Sequence, residues 1–170
     1  YSTYLLAPHF HKSMLREKMG DIQVYRFKYF ISKYQKVAYG AGVIPNVRRS
    51  LLSKIEFPMF LYAEFSSAKE IIEKERINLI HAHWILPHGL LGLKLKRKYK
   101  IPLIVTIHGS DVFSLKNRFF KFLQKKVIEG CDIITVNSEA TKKELLKRFP
   151  EFKSKIKLIP MGVDLNLFKH

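Results

Sequence analysis

Apolar positions along this chain follow two different spacings. Near the start, TYLLA (3–7) and IQVYRF (22–27) predict strands, the first stopped by Pro8 and the second introduced by Gly20-Asp21. The polar stretch between them, HFHKSMLREKM, reads as a connection. Residues 28–44 are aromatic, contain YGAG, show no sustained period and read as loop. From Pro45 the period turns helical: Leu51, Leu52 and Ile55 share a face, and Pro58 breaks or restarts the helix. Leu61, Phe65, Ala68 and Ile72 then carry an apolar stripe to the charged EKER.

Beyond that point strands and helices alternate. Strand 77–83 (INLIHAH) leads to a helix starting near Pro87, a residue suited to the first helical position. Strand 102–108 (PLIVTIH) leads to a helix at about 113–129, with Phe119, Phe120, Leu123 and Val127 on its apolar face and Gly130 ending it. Strand 132–137 (DIITVN) leads to a helix with Ser138 as N-cap and Glu139 in its first turn. Strand 155–160 (KIKLIP) comes last, followed by MGVDLNLF. Short apolar strands alternating with amphipathic helices predict an α/β fold, a Rossmann-like, doubly wound, mainly parallel sheet with helices on both faces. No internal repeat or low-complexity linker interrupts it, so residues 1–170 read as a single domain.

In such a sheet ligands bind beyond the carboxyl ends of the strands. Three consecutive strands here run out into chemistry: His83-Trp84, His108-Gly109-Ser110-Asp111, and Asn137-Ser138-Glu139. The amino termini of the following helices point at the same edge and favour anions. Gly109 allows close approach of a ligand to backbone, and His108 donates or accepts a hydrogen bond near neutral pH. His81 shares a face with Ile77 and Leu79 and reads as a hydrogen-bonded structural histidine. Trp84 either caps the sheet or meets ligand, and Asp111 either caps the next helix or meets substrate.

Composition narrows the classes. An apolar share of 47% supports a folded core. The single cysteine, Cys131, excludes an intramolecular disulfide and a cysteine-based zinc cluster, and GCDIITV suits a small buried thiol. No run approaches the roughly 18 uncharged apolar residues of a membrane span. The net charge of +17 favours polyanions, with the densest basic runs at KLKRKYK (94–100) and KNRFFKFLQKK (116–126). That charge alone motivates a basic nucleic-acid-binding module, but no RNP motif, KH loop or zinc finger accompanies it. His81-x-His83 raises a metal-dependent hydrolase, a reading that needs further ligands and about 250 residues of barrel. Phosphate-loop, dinucleotide and serine-elbow motifs are missing.

Four stretches in order carry a resemblance: INLIHAHWILPHGLLG, IPLIVTIHGSDVF, CDIITVNSEATKKEL and IKLIPMGVDLNLF. Over about residues 77–168 the chain resembles the amino-terminal domain of family-4 (group 1) glycosyltransferases of the GT-B fold. The resemblance implies one half of a two-domain enzyme that transfers sugar, with retention, from a nucleotide-sugar donor to a glycan, lipid-linked or phosphorylated acceptor. It implies no cofactor and no essential metal. His108 matches the histidine at the active-site edge. His83, Trp84, Gly109, Ser110 and Asp111 fall on the acceptor side, and Asn137, Ser138, Glu139 and Gly162 on the donor side or cleft edge. The family's first strand and Gly-rich loop are not recognisable, and its carboxy-terminal donor domain, with paired glutamates and phosphate-binding basic residues, lies outside the sequence. The expectation is therefore an acceptor-side domain, inactive alone and completed by its own carboxy-terminal domain. It implies a cytoplasmic place, peripheral on the inner membrane face and touching anionic lipid, with no nucleic-acid partner. Phe119 and Phe120 are expected to face the core and Phe122 the lipid.

Overall fold

A computed structural model describes residues 2–40 and 42–166; Tyr1, Ala41 of YGAG and residues 167–170, the end of the last motif, lie outside the described residues. The chain divides into two compact units, Tyr1–Ile77 and Asn78–His170.

In the first unit, β1 (Thr3–Pro8), β2 (Arg16–Met19) and β3 (Ile22–Phe27) form a sheet in the order β1-β3-β2. β1 runs parallel to β3, and β2 runs antiparallel to it. Met19 pairs with Ile22 across a two-residue turn, where Gly20 takes φ +58°. β2 corrects the reading of this stretch as a connection. Its REKM sequence lies at a sheet edge with three of four residues exposed, so no apolar alternation marks it. Arg26 on β3 holds it through an ion pair with Glu17 and a bond to the Met14 carbonyl (2.8 Å).

Two helices follow a short 3-10 turn at Ser32–Tyr34: α1 (Val43–Arg49) and α2 (Leu51–Glu75). Ser50 caps α2 by accepting the Ser53 N–H (3.3 Å). Contrary to expectation, α2 runs unbroken through Pro58. Leu51 and Ile55 are also not on its buried side, being 77% and 60% exposed. Ser53, Glu56 and Phe60 face inward instead. Glu56 explains this rotation. Its carboxylate is fully buried and accepts the N–H groups of Lys36 (3.3 Å) and Val37 (2.9 Å), donors that the irregular 28–42 segment cannot satisfy by itself. Asn46 adds bonds to the carbonyls of Val37 (3.1 Å) and Tyr39 (2.6 Å). Phe27, Tyr29, Val37 and Phe60 close the core beneath.

In the second unit, β4 (Ile80–His83), β5 (Leu103–Ile107), β6 (Ile133–Val136) and β7 (Ile156–Leu158) lie in sequential order, every pair parallel. The connecting helices are α3 (Leu90–Tyr99), α4 (Ser110–Phe113), α5 (Arg118–Gly130) and α6 (Glu139–Arg148). This is the predicted α/β, parallel, helix-flanked arrangement. α3 and α5 pack on the strand face of Ala82, Leu103 and Val105: Gly92 abuts Leu103 and Ala82, while Gly89 abuts Val105 and Val127. The alternate positions, His81, His83, Thr106 and Thr135, share the opposite face.

Boundaries moved for local reasons. Regular helix begins at Leu90 rather than at Pro87, because Leu86, preceding the proline, is extended (φ −134°, ψ 136°). α5 begins at Arg118 under an Asn117 cap (2.8 Å), and Phe119 is 64% exposed instead of facing the core. Gln124, Val127 and Ile128 are its buried residues; Phe122 is exposed as expected. Ser138 caps α6 as predicted, accepting the Thr141 N–H (3.2 Å). Lys155 closes the end of α5 by donating to the carbonyls of Ile128, Glu129 and Cys131. Cys131 is buried, which pushes its thiol up to about 11.

Replacing Glu56 with Ala strands two backbone donors in the first unit. The expected cost is about 1–3 kcal/mol, read as a lower denaturant midpoint, while the second unit's tryptophan signal keeps its native spectrum.

Candidate active site at the carboxyl edge of the parallel sheet

The exits of β4 and β5 are joined by Asp111. This residue is 2% exposed; its Oδ2 accepts the Ile85 N–H (3.0 Å) and its Oδ1 the His108 N–H (3.2 Å). Burial pushes its carboxyl above the usual range, and the N–H bonds from Ile85 and His108 oppose that shift. Gln124 of α5 donates to the Asp111 carbonyl (2.8 Å), tying the turn to the core. Asp111 is therefore not the N-cap of α4, which is Gly109; its buried carboxylate is engaged by backbone N–H groups, which positions the two strand exits.

Three imidazoles stack along the edge. Ring centroids of His81 and His83 are 4.7 Å apart, and those of His83 and His108 are 5.2 Å apart. His83 Nδ1 and His108 Nε2 share a hydrogen bond of 2.9 Å. For neutral rings that bond leaves His83 Nε2 and His108 Nδ1 as the outer nitrogens. Whichever ring donates, one outer nitrogen carries a proton and the other a lone pair. His81 Nε2 meets Thr106 Oγ1 (2.6 Å), which in turn meets Thr135 Oγ1 (2.6 Å). His81 is thus hydrogen-bonded as expected, though at an exposed position of the strand. Burial is the largest influence holding His81 and His83 below the ordinary histidine value, followed by neighbouring imidazoles.

Trp84 stands at the exit of β4. It is 44% exposed, takes φ +66°, and holds its ring 5.3 Å from His108 and 5.9 Å from His88. A bulky residue at positive φ is strained, and such strain gathers at functional sites. Gly109 has φ +97°, and a Cβ there would come within 3.2 Å of Thr141 Oγ1, so no side chain fits comfortably. That contact brings the β5 exit against the start of α6, where Ser138 and Thr141 hydroxyls bond (2.9 Å) and Asn137 lies 3.5 Å from Thr141 Oγ1. Ser110 is exposed beside Gly109, Glu139 pairs outward with Lys142 (3.7 Å), and Gly162 sits in an open, exposed segment after β7. The sequence reading missed Thr106, Thr135 and Thr141. Thr106 is a polar residue inside the apolar run of β5, two positions before His108, and that interruption was the signal available in the sequence.

Among the described residues, no group of three or more His, Cys, Asp and Glu side chains is arranged to hold a metal ion. Among those residues His81 and His83 are thus not part of such a group. Among the same residues no helix is long and apolar enough to cross a membrane.

A parallel sheet whose polar strand ends gather at one edge, against helix amino termini, defines a Rossmann-like ligand-binding unit. The sequence model of Glycosyltransferase Family 4 matches residues 15–167, and the chain belongs to that family. An uncharacterized glycosyltransferase of Methanocaldococcus jannaschii is 35% identical over 127 residues, covering 72% of this chain and 35% of that protein. A D-inositol 3-phosphate glycosyltransferase of Arthrobacter sp. (strain FB24) is 27% identical, covering 69% and 30%. An alpha-monoglucosyldiacylglycerol synthase of Streptococcus pneumoniae is 28% identical, covering 65% and 26%. The chain thus spans about a third or less of the length of these relatives.

Two outcomes follow from this geometry. Because His81 and His83 titrate below 6.5 when folded, the unfolded chain binds more protons in the window beneath that value. These two residues therefore make stability rise with pH across that window and fall as pH drops through it. The unfolding midpoint is expected to be lower at pH 5.5 than at 7.5, and replacing both histidines with Asn flattens the difference. Asp111→Ala orphans two backbone donors; a loss of at least about 2 kcal/mol is expected, with a changed emission spectrum from Trp84, the chain's single tryptophan.

Proposed function

We propose that this chain is the acceptor-side amino-terminal domain of a retaining glycosyltransferase. In this reading a sugar moves from a nucleotide-sugar donor to a glycan, lipid-linked or phosphorylated acceptor. The observation that carries the reading is the His83–His108 pair set beside the exposed Trp84 ring at the sheet's carboxyl edge. A sugar hydroxyl both donates and accepts, and the pair's two outer nitrogens offer one of each. The indole supplies an apolar face with one N–H donor.

His108 takes the active-site role, bonding a hydroxyl of the transferred sugar. His83, Trp84 and Ser110 line the acceptor side, and Gly109 keeps the backbone open there. Asn137, Ser138, Glu139 and Gly162 stand toward the donor. The nucleotide-sugar is held chiefly by a carboxy-terminal domain, whose basic residues take up the leaving phosphate charge without an essential metal. Acceptor chemistry draws support from two relatives, whose names contain D-inositol 3-phosphate and a diacylglycerol glycolipid. The net charge of +17 suits a phosphorylated or lipid-linked acceptor at the cytoplasmic face of a membrane, with the chain touching anionic lipid from outside the bilayer.

In the full-length parent, His108→Ala is expected to lower kcat by about a hundredfold or more, the scale of losing one aimed hydrogen bond. The circular dichroism spectrum should be unchanged. Transfer at the wild-type rate in a folded variant overturns the role given to His108.

A further inference from the structure

Helix α2 is apolar on two opposite sides. Its inner side carries the buried Phe60, Ile71 and Ile72. Its outer side carries Leu51, Ile55, Met59 and Tyr62, which are 77%, 60%, 47% and 75% exposed. Their spacing of four, four and three residues keeps them within an arc of about 80° over roughly 16 Å of helix. A groove of about 610 Å³ runs beside Met59 and Tyr62, bordered by Lys28, Tyr29 and Ser66. Ile31 (62%) and Tyr34 (43%) of the preceding segment are exposed as well.

The segment leading into this stripe carries one sign of charge, whereas the same helix exposes Glu70 and Glu73 further on. Between Asp21 and Glu56 the sequence contains no acidic residue and seven basic ones. Of these, Lys28, Lys33, Lys36, Arg48, Arg49 and Lys54 are exposed. Glu56 itself is fully buried on backbone N–H groups and presents nothing to solvent.

We infer that this outer face of α2 docks on an anionic lipid bilayer, with the aliphatic stripe in the interfacial region and the surrounding cations on lipid phosphates. A helix with an exposed apolar stripe bordered by Lys and Arg is the form that lies in a bilayer interface. Tyr62 and Tyr34, each part apolar and part polar, suit that depth. Nucleic acid would use the cations but would leave Leu51, Ile55 and Met59 in water, since bases stack on aromatic rings. A symmetric pairing of two copies would set the same cations against each other. The inference rests on the proposed membrane contact, and it moves that contact from Phe122 on α5 to α2.

The test is flotation of the chain with vesicles of phosphatidylcholine alone or mixed with phosphatidylglycerol. Binding is expected only to the anionic vesicles and should weaken in high salt. The double variant Ile55→Glu, Tyr62→Glu is expected to lose at least about tenfold in partitioning. Arg48→Gln with Arg49→Gln, which leaves the apolar stripe intact, should also weaken it; Phe122→Glu should not. Wild-type chain that ignores anionic vesicles, or prefers duplex DNA added as competitor, overturns both the inference and the membrane contact. Binding that survives the α2 variants and falls with Phe122→Glu overturns the α2 assignment alone. His108→Ala should float like wild type, which separates this outcome from any failure of the transferase reading.

Discussion

The two bonds from the Asp111 carboxylate, one to the Ile85 N–H and one to the His108 N–H, hold the exits of β4 and β5 in a fixed relation. Each N–H belongs to a chain leaving a strand, beyond the reach of the sheet's own ladder. Buried donors in that position need an acceptor, and a water-filled edge would supply it only at the expense of order. With the carboxylate in place, the backbone is committed to the tight path that sets Trp84 at positive φ and starts α4 directly after Gly109. Gln124 then couples the same turn to α5, so the edge inherits the rigidity of the hydrophobic core.

On that fixed frame the histidines acquire their chemistry from strand alternation. His81, His83, Thr106 and Thr135 share a face because parallel register sets His83 opposite Thr106 and Thr106 opposite Thr135. Burial, and after it the neighbouring imidazoles, favours the neutral form of His81 and His83. A neutral His83–His108 pair is a combined donor and acceptor, which an imidazolium pair is not. The burial and neighbouring imidazoles that lower the pKa of His83 thus favour the form in which one of its ring nitrogens remains an acceptor.

How much of this the sequence disclosed follows from what each feature contributes to burial. The strand–helix alternation after residue 77 was legible because parallel strands buried against helices leave apolar runs, and Leu103, Val105 and Ile107 are indeed completely buried. The strand-end residues were legible because the topology sends them to one edge. β2 was not, since REKM at a sheet edge has no apolar face to show. Nor was the orientation of α2, where the sequence offers more apolar residues than one face can bury and a single glutamate decides which side turns in. Phe119 failed for a related reason: α5 uses Gln124 as part of its inner face, and apolar character alone did not reveal that. Asp111 was legible as a strand-exit residue but its backbone partners were not, because a carboxylate beside a histidine and glycine looks the same in sequence whether it faces ligand or backbone.

Glu56 and Asp111 are the same device used in two units. Each is a buried carboxylate that accepts two backbone N–H groups from irregular chain. In a protein with 31 basic and 14 acidic residues, this placement matters for the surface as well as for the loops. A glutamate turned inward at position 56 removes the only negative side chain that would interrupt the cationic stretch before it. Seven of the basic residues thus lie, with no acidic side chain among them, in the segment that leads into the exposed aliphatic stripe. A polyanion with an apolar interior satisfies both features at once, whereas one that is polar throughout satisfies only the first. The inferred lipid docking therefore draws on both features, where composition alone suggested nucleic acid.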